Sequence, residues 1–225
     1  MHLTDRYSNL RGMRSGDNTR QNLLTTALQL VWEKSYGVVS VDDICREAHA
    51  NKGSFYHFFP SKTDLAVAAI EDHWQELQPL LDHVFSAQFE PLERLRGFCR
   101  FIYKRQSEKA LSTGKVCGCP FISMASEVST QQERIRLKLR QIMNRYERYF
   151  ASALRDAASE GSLEPQDFSA KACELYGYVI GVLVQARIQN DLEIIRSMEA
   201  GLWRLLGIQP HERRRKQCRL RAVNN

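Results

Sequence analysis

Long apolar runs are missing from this chain. The longest, residues 175–184, falls well short of the roughly 20 residues a bilayer-spanning helix requires. Residues 1–17 carry charges and no apolar stretch of about 7 to 15 residues, so no secretory signal is expected and the protein is expected to stay in the cytoplasm. Proline is scarce: its six copies sit at boundaries between periodic stretches, and no sustained alternating pattern reads as strand. Disulfide patterning is absent too. Cys45, Cys99, Cys117, Cys119, Cys173 and Cys218 are scattered along a chain with no export signal, which favours free thiols.

The motifs of common enzymes are also lacking. There is no glycine-rich phosphate loop, no His-Glu-x-x-His and no Gly-x-Ser-x-Gly, and His2, His49, His57, His73, His83 and His211 form no ligand pattern. The chain is expected not to be an enzyme and to need neither cofactor nor metal. A strong local excess of positive charge is missing from the first 65 residues, where eight basic face seven acidic side chains. The net charge of +6 lies mostly in residues 211–225, where six Lys/Arg face Glu212 alone. Global charge therefore does not identify a nucleic-acid surface.

What remains is helical periodicity in a chain of ordinary globular composition, 43% hydrophobic and 26% charged. From Thr19, the residues Leu23, Leu24, Ala27, Leu28 and Val31 fall on one helical face, and Gly37 is a fitting stop. Ser40 reads as an N-cap, with Asp43 supplying an acid in the first turn of a short helix over 41–48. His49-Ala50-Asn51 breaks that helix, and Asn51 caps a third over 52–58. A fourth starts near Lys62 and runs long, with a bend expected at Pro79. Further helices are predicted over 92–109, 131–160, 167–190 and 191–206, with another beginning near Pro120. The predicted fold is all-α.

Two short helices joined by a three-residue turn, followed by a longer one, can present the second short helix to a major groove. Residue identity makes that reading specific. Ser40-Val41-Asp42-Asp43-Ile44-Cys45-Arg46-Glu47-Ala48, then Lys52-Gly53-Ser54-Phe55-Tyr56-His57-Phe58-Phe59, then Ser61-Lys62-Thr63-Asp64-Leu65, closely resembles the signature of the TetR/AcrR family of transcriptional regulators. The turn departs from the family pattern, with His49 where a glycine is common and Asn51 where a serine commonly caps. His49 there must either avoid or tolerate a left-handed backbone.

The resemblance implies a three-helix DNA-binding domain over 18–65 and a larger helical ligand-binding and dimerisation domain over 66–208, while residues 1–17 are expected to be a flexible N-terminus and 209–225, too polar and basic to pack, a disordered tail. It implies a repressor released from a palindromic operator by a small effector. The DNA contacts it carries over are Ser40, Lys52, Gly53, Ser54, Tyr56, His57 and Lys62. Lys52 offers a point charge to a phosphate, and Gly53 lets backbone approach the duplex. Ser54, Tyr56 and His57 can reach phosphates or base edges, while Ser40 and Lys62 open helices whose N-H groups suit a phosphate oxygen. Ile44, Phe55 and Phe58 are assigned to the core of the small domain.

The family's C-terminal helices pair two subunits, and here the last two long helices, with Gly177 and Gly181 at a Gly-x-x-x-Gly spacing, offer a homodimer surface. Phe98, Phe101, Ile102, Phe121, Met124, Tyr146, Tyr149 and Tyr176 either line an apolar effector pocket or form ordinary core. Cys117 and Cys119, close to Lys115 and ahead of a helix, are either a thiol sensor of electrophiles or oxidants, or small hydrophobes of a tight loop. A helical scaffold protein would account for the helices but not for the Lys52 to His57 cluster.

Overall fold

The computed structural model describes residues 15–208, and the expectations for residues 1–14 and 209–225 lie outside the described residues. Ten helices and no strand are found among the described residues. They are α1 (Ser15–Glu33), α2 (Val41–Glu47), α3 (Lys52–Phe58), α4 (Lys62–Val84), α5 (Pro91–Thr113), α6 (Pro120–Val128), α7 (Glu133–Ser159), α8 (Phe168–Gln189), α9 (Glu193–Arg196) and α10 (Met198–Leu205). Residues 15–17, expected to be flexible, are the first residues of α1. No helix among the described residues is long and apolar enough to cross a membrane.

The helices gather into two compact units that do not follow the chain's order. One comprises α1 to α3, α4 through Pro79, α6, and α7 through Met143. The other comprises the end of α4 from Leu80, then α5, α7 from Asn144, and α8 to α10. The sequence pattern suggested a division near residue 65; by contacts, α6 and the start of α7 belong with the first three helices.

In the first unit the apolar stripe of α1 meets α2, α3 and α4. Leu23, Leu24, Ala27, Val39, Ile44, Phe55, Leu65 and Ala69 are buried together. Phe55 is fully buried, but Phe58 is only half-buried at the edge of this cluster, and Phe59 takes the core position instead. The reason is local. Phe59 is the C-cap of α3 with φ −135° and ψ 112°, so the chain leaves the helical register there and turns its ring inward.

In the second unit an aromatic cluster fills the space between helices. Phe85, Phe98, Phe150, Tyr146 and Tyr176 lie within 5.0 to 6.3 Å of their neighbours' ring centroids, and Tyr146 stacks on Tyr176 at 5.1 Å. The buried Arg94 guanidinium donates to Asp156 and to the Phe89 carbonyl, which ties α5 to α7. The C-terminal stretch is not one helix over 191–206. Ser197, with ψ −8° and its hydroxyl donating to the Ile194 carbonyl, ends α9 and begins α10.

Candidate nucleic-acid interface

The site begins with two caps. Ser40 adopts an extended backbone, φ −88° and ψ 164°, and its Oγ accepts the Asp43 N-H at 3.0 Å. Asp43 Oδ2 in turn accepts the Ser40 N-H at 3.0 Å, completing a capping box. Donation to the Asp43 carboxylate from the Ser40 hydroxyl, then the Ser40 amide and the Arg46 guanidinium, holds that carboxyl far below the usual carboxylate range. α3 is started the same way, since Asn51 Oδ1 accepts the Ser54 N-H at 2.7 Å.

Between the caps the chain turns through His49, which takes the left-handed conformation with φ 52°. The Ala50 N-H reaches back to the Cys45 carbonyl at 2.9 Å and the His49 N-H to the Arg46 carbonyl at 3.3 Å. This is the paired closure that usually carries glycine at its left-handed position. The family's glycine is thus replaced without loss of the turn, at the cost of a strained side-chain-bearing residue.

With Phe55 inward, the other side of α3 presents Lys52, Gly53, Tyr56 and His57 to solvent, and Ser54 is half-buried. Tyr56 is 55% exposed and leans edge-on against Phe55 at 5.1 Å. His57 likewise meets Phe58 edge-on at 4.8 Å. A Cβ at Gly53 would lie 3.1 Å from the capping Asn51 oxygen.

Two of the expected cations are engaged within the protein. Lys52 Nζ lies 2.8 Å from Asp42 Oδ1, and that hydrogen bond raises the Lys52 pKa. Lys62 turns back from the start of α4, donating to the Tyr36 carbonyl and lying 4.2 Å from the centre of the Tyr36 ring. Burial lowers the Lys62 pKa. The Ser40 hydroxyl is held by Asp43 Oδ2 at 2.6 Å. The sequence reading missed Tyr36 and Asp42. Tyr36 anchors the turn before α2 and is buried in spite of its hydroxyl.

The residues expected at an effector pocket fall in both units. Phe98, Tyr146 and Tyr176 share the aromatic cluster, with Tyr149 packed on Phe85 at 5.1 Å. Phe101 and Ile102 are half-buried on α5. Phe121 and Met124 are buried residues of α6 in the other unit.

The cysteine loop is tightly built up to Gly118. Buried Gln106 donates to the Gly118 carbonyl at 2.9 Å and accepts its N-H at 3.0 Å. Gly118 has φ 67°, and a Cβ there would lie 3.2 Å from the Leu183 carbonyl oxygen. Cys117 is buried with its Sγ 3.6 Å from the Lys115 carbonyl, whereas Cys119 is half-buried as the N-cap of α6.

Residues 23–69 match the family model for bacterial regulatory proteins of the tetR family. Residues 91–202 match the tetracyclin repressor-like C-terminal domain. Among curated relatives, an uncharacterized HTH-type transcriptional regulator in the lacX 3' region of Lactococcus lactis is 30% identical over 80% of this chain and 89% of its own. The HTH-type transcriptional repressor NemR of Escherichia coli is 25% identical over 78% of this chain and 87% of its own. The solved reduced form of E. coli NemR superposes with a TM-score of 0.72 at 25% identity, covering 82% of this chain and 94% of that one. A regulatory protein TetR from Rhodobacter sphaeroides gives 0.74 at 28% identity, covering 83% and 98%.

Proposed function

The chain belongs to the TetR family of bacterial transcriptional regulators, and we propose that it is a repressor that binds a palindromic operator as a homodimer and leaves it when a small effector binds. The observation that carries the reading is the solvent face of α3. A seven-residue helix is anchored by fully buried Phe55 and turns Lys52, Tyr56 and His57 outward. A phosphate can take the place of Asp42 on Lys52, while Tyr56 and His57 supply donors for phosphates or base edges. Gly53, Ser54, Ser40 and the backbone at Lys62 complete the contact set. A transcription regulator of this kind acts in the cytoplasm.

Two-fold pairing supports reading of a palindrome, because one short helix spans only a few base pairs. The surface that suits it is the exposed stripe of α8, where Gly177 and Gly181 leave open space and Val184 and Ile188 are exposed. An aromatic or amphipathic effector is proposed to bind at Phe98, Phe101, Ile102, Tyr146 and Tyr176, which requires the packed rings there to part.

A second reading, release by an electrophile or oxidant, is favoured at Cys119. It is half-buried at the N-terminus of α6, while Cys117 is buried. The NemR relative solved in a form named reduced accords with this reading.

The test is selection of duplexes from a random library by the full chain, followed by titration at rising salt. A palindrome should emerge, and Tyr56→Ala should lower affinity for it several-fold while leaving helicity unchanged. Binding without any sequence preference would overturn the reading. Replacing Cys119 with Ser should abolish release by N-ethylmaleimide if the thiol is the trigger, and unchanged release would exclude it.

A further inference from the structure

We propose that Glu127 is the positioning residue through which α6 sets the turn ahead of the DNA-reading helices; the inference rests on the regulator reading above. Glu127 lies on α6, 90 and 91 residues from the turn it touches. Its Oε2 accepts the Tyr36 N-H at 2.8 Å and its Oε1 accepts the Gly37 N-H at 2.6 Å. One carboxylate thus holds two successive backbone amides, each in a charge-assisted bond.

The rest of Tyr36 is fixed as firmly. Its carbonyl accepts Lys62 Nζ from α4, its ring faces that ammonium, and its hydroxyl lies 3.3 Å from Thr63 Oγ1. Thr63 Oγ1 donates onward to Gln132 Oε1 at 3.3 Å, just before α7. Two residues beyond Gly37, Val39 is fully buried, and the next residue is the Ser40 cap of α2. The position of Tyr36 and Gly37 therefore sets where α2 begins, and α2 carries α3.

A cavity of about 10 Å³, lined by Ala27, Val31, Tyr36, Lys62 and Met124, lies where α1, α4 and α6 meet. That is about the space of one water. A displacement of α6 would stretch both Glu127 bonds and move the turn.

A second position tests the same contact from the other side. A Cβ at Gly37 would meet Glu127 Oε1 at 2.7 Å, and the backbone of Gly37 is not in the left-handed region. Gly37→Ala should therefore push the carboxylate away without breaking the turn's backbone.

The experiment uses the full chain and the duplex it selects from a random library. Glu127→Ala and Gly37→Ala should each lower affinity by about tenfold, Glu127→Gln should be intermediate because one acceptor remains, and the double variant should be no worse than either single. Thermal midpoints should stay near wild type, which a general loss of stability would not allow. Amide exchange at Tyr36 and Gly37 reads the contact without DNA and should accelerate in Glu127→Ala. Unchanged exchange, or singles that multiply in the double variant, overturns the positioning role. If the wild-type chain selects no duplex, the regulator reading fails and amide exchange alone decides the role of Glu127.

Discussion

Lys52 at the start of α3 is joined to Asp42 in the first turn of α2, with Nζ 2.8 Å from Oδ1. Both side chains are about 60% exposed, 62% and 61%, so the pair contributes little to stability and is readily exchanged. Its significance is for binding, because the cation expected at a phosphate already has an anion beside it. Asp42→Asn should strengthen operator binding at low salt, and the gain should shrink as salt rises. Lys52→Ala should weaken binding to all sequences and reduce the salt slope by about one. Titration of both variants from low to physiological salt decides this; an Asp42→Asn variant that binds more weakly would show that the pair orients Lys52 instead.

Acid should loosen the start of α2. Hydrogen bonds from Ser40 and Arg46 depress the folded-state pKa of Asp43, so protons bind the unfolded chain more readily than the folded one. The resulting stability is present above the unfolded value near about 4 and is lost as pH falls below it. Ser40→Ala should lose about 1 kcal/mol of capping at neutral pH and show a shallower decline in urea midpoint below about pH 4. A parallel decline in the two proteins would remove Asp43 as its source.

His49→Gly should stabilise the protein. The side chain is held at φ 52°, and relieving that conformation is worth about 1 kcal/mol. For a chain of this size that corresponds to a rise of about 2 to 4 °C in thermal midpoint. A fall would mean that the His49 imidazole makes a stabilising contact outweighing its backbone.

Gly181→Leu separates folding from pairing. Among the described residues, and apart from the helix's own backbone, no atom lies within 4 Å of a Cβ built at Gly181 or Gly177, so a single subunit should accommodate the larger side chain. A partner on this stripe would not. Sedimentation should then show monomer in place of dimer, with native helicity and lost operator affinity; a variant that stays dimeric would put the interface elsewhere. Gly201 is the opposite case, since a Cβ there would lie 1.8 Å from the Tyr178 hydroxyl oxygen, and Gly201→Ala should destabilise the subunit itself.

The parts of the fold that were legible in the sequence are those whose causes are local. Ser40 and Asn51 each bond an amide three residues on, and α2 and α3 begin where those residues stand. The all-helical class followed from periodicity in the same way. Phe59 was not recognised as core because its burial depends on the chain leaving helical geometry at that very residue. Ser197 was not seen to divide the last helix, since the apolar spacing continues across it while its hydroxyl bonds the Ile194 carbonyl. Glu127 was invisible for a different reason. Nothing in the pattern around it refers to Tyr36 or Gly37, and only the folded chain brings them together.

The discontinuous first unit also has a consequence for synthesis. The cluster around Phe55 is complete once Ala69 has been added, so α1 to α3 can collapse early on the ribosome. The amides of Tyr36 and Gly37, and the gap that Met124 borders, must wait for residues 119–143, after the whole of 80–118 has emerged. A nascent chain therefore carries its DNA-reading helices for some fifty residues of elongation before the segment that fixes their turn exists, and a translational pause in that interval would prolong this unlatched form.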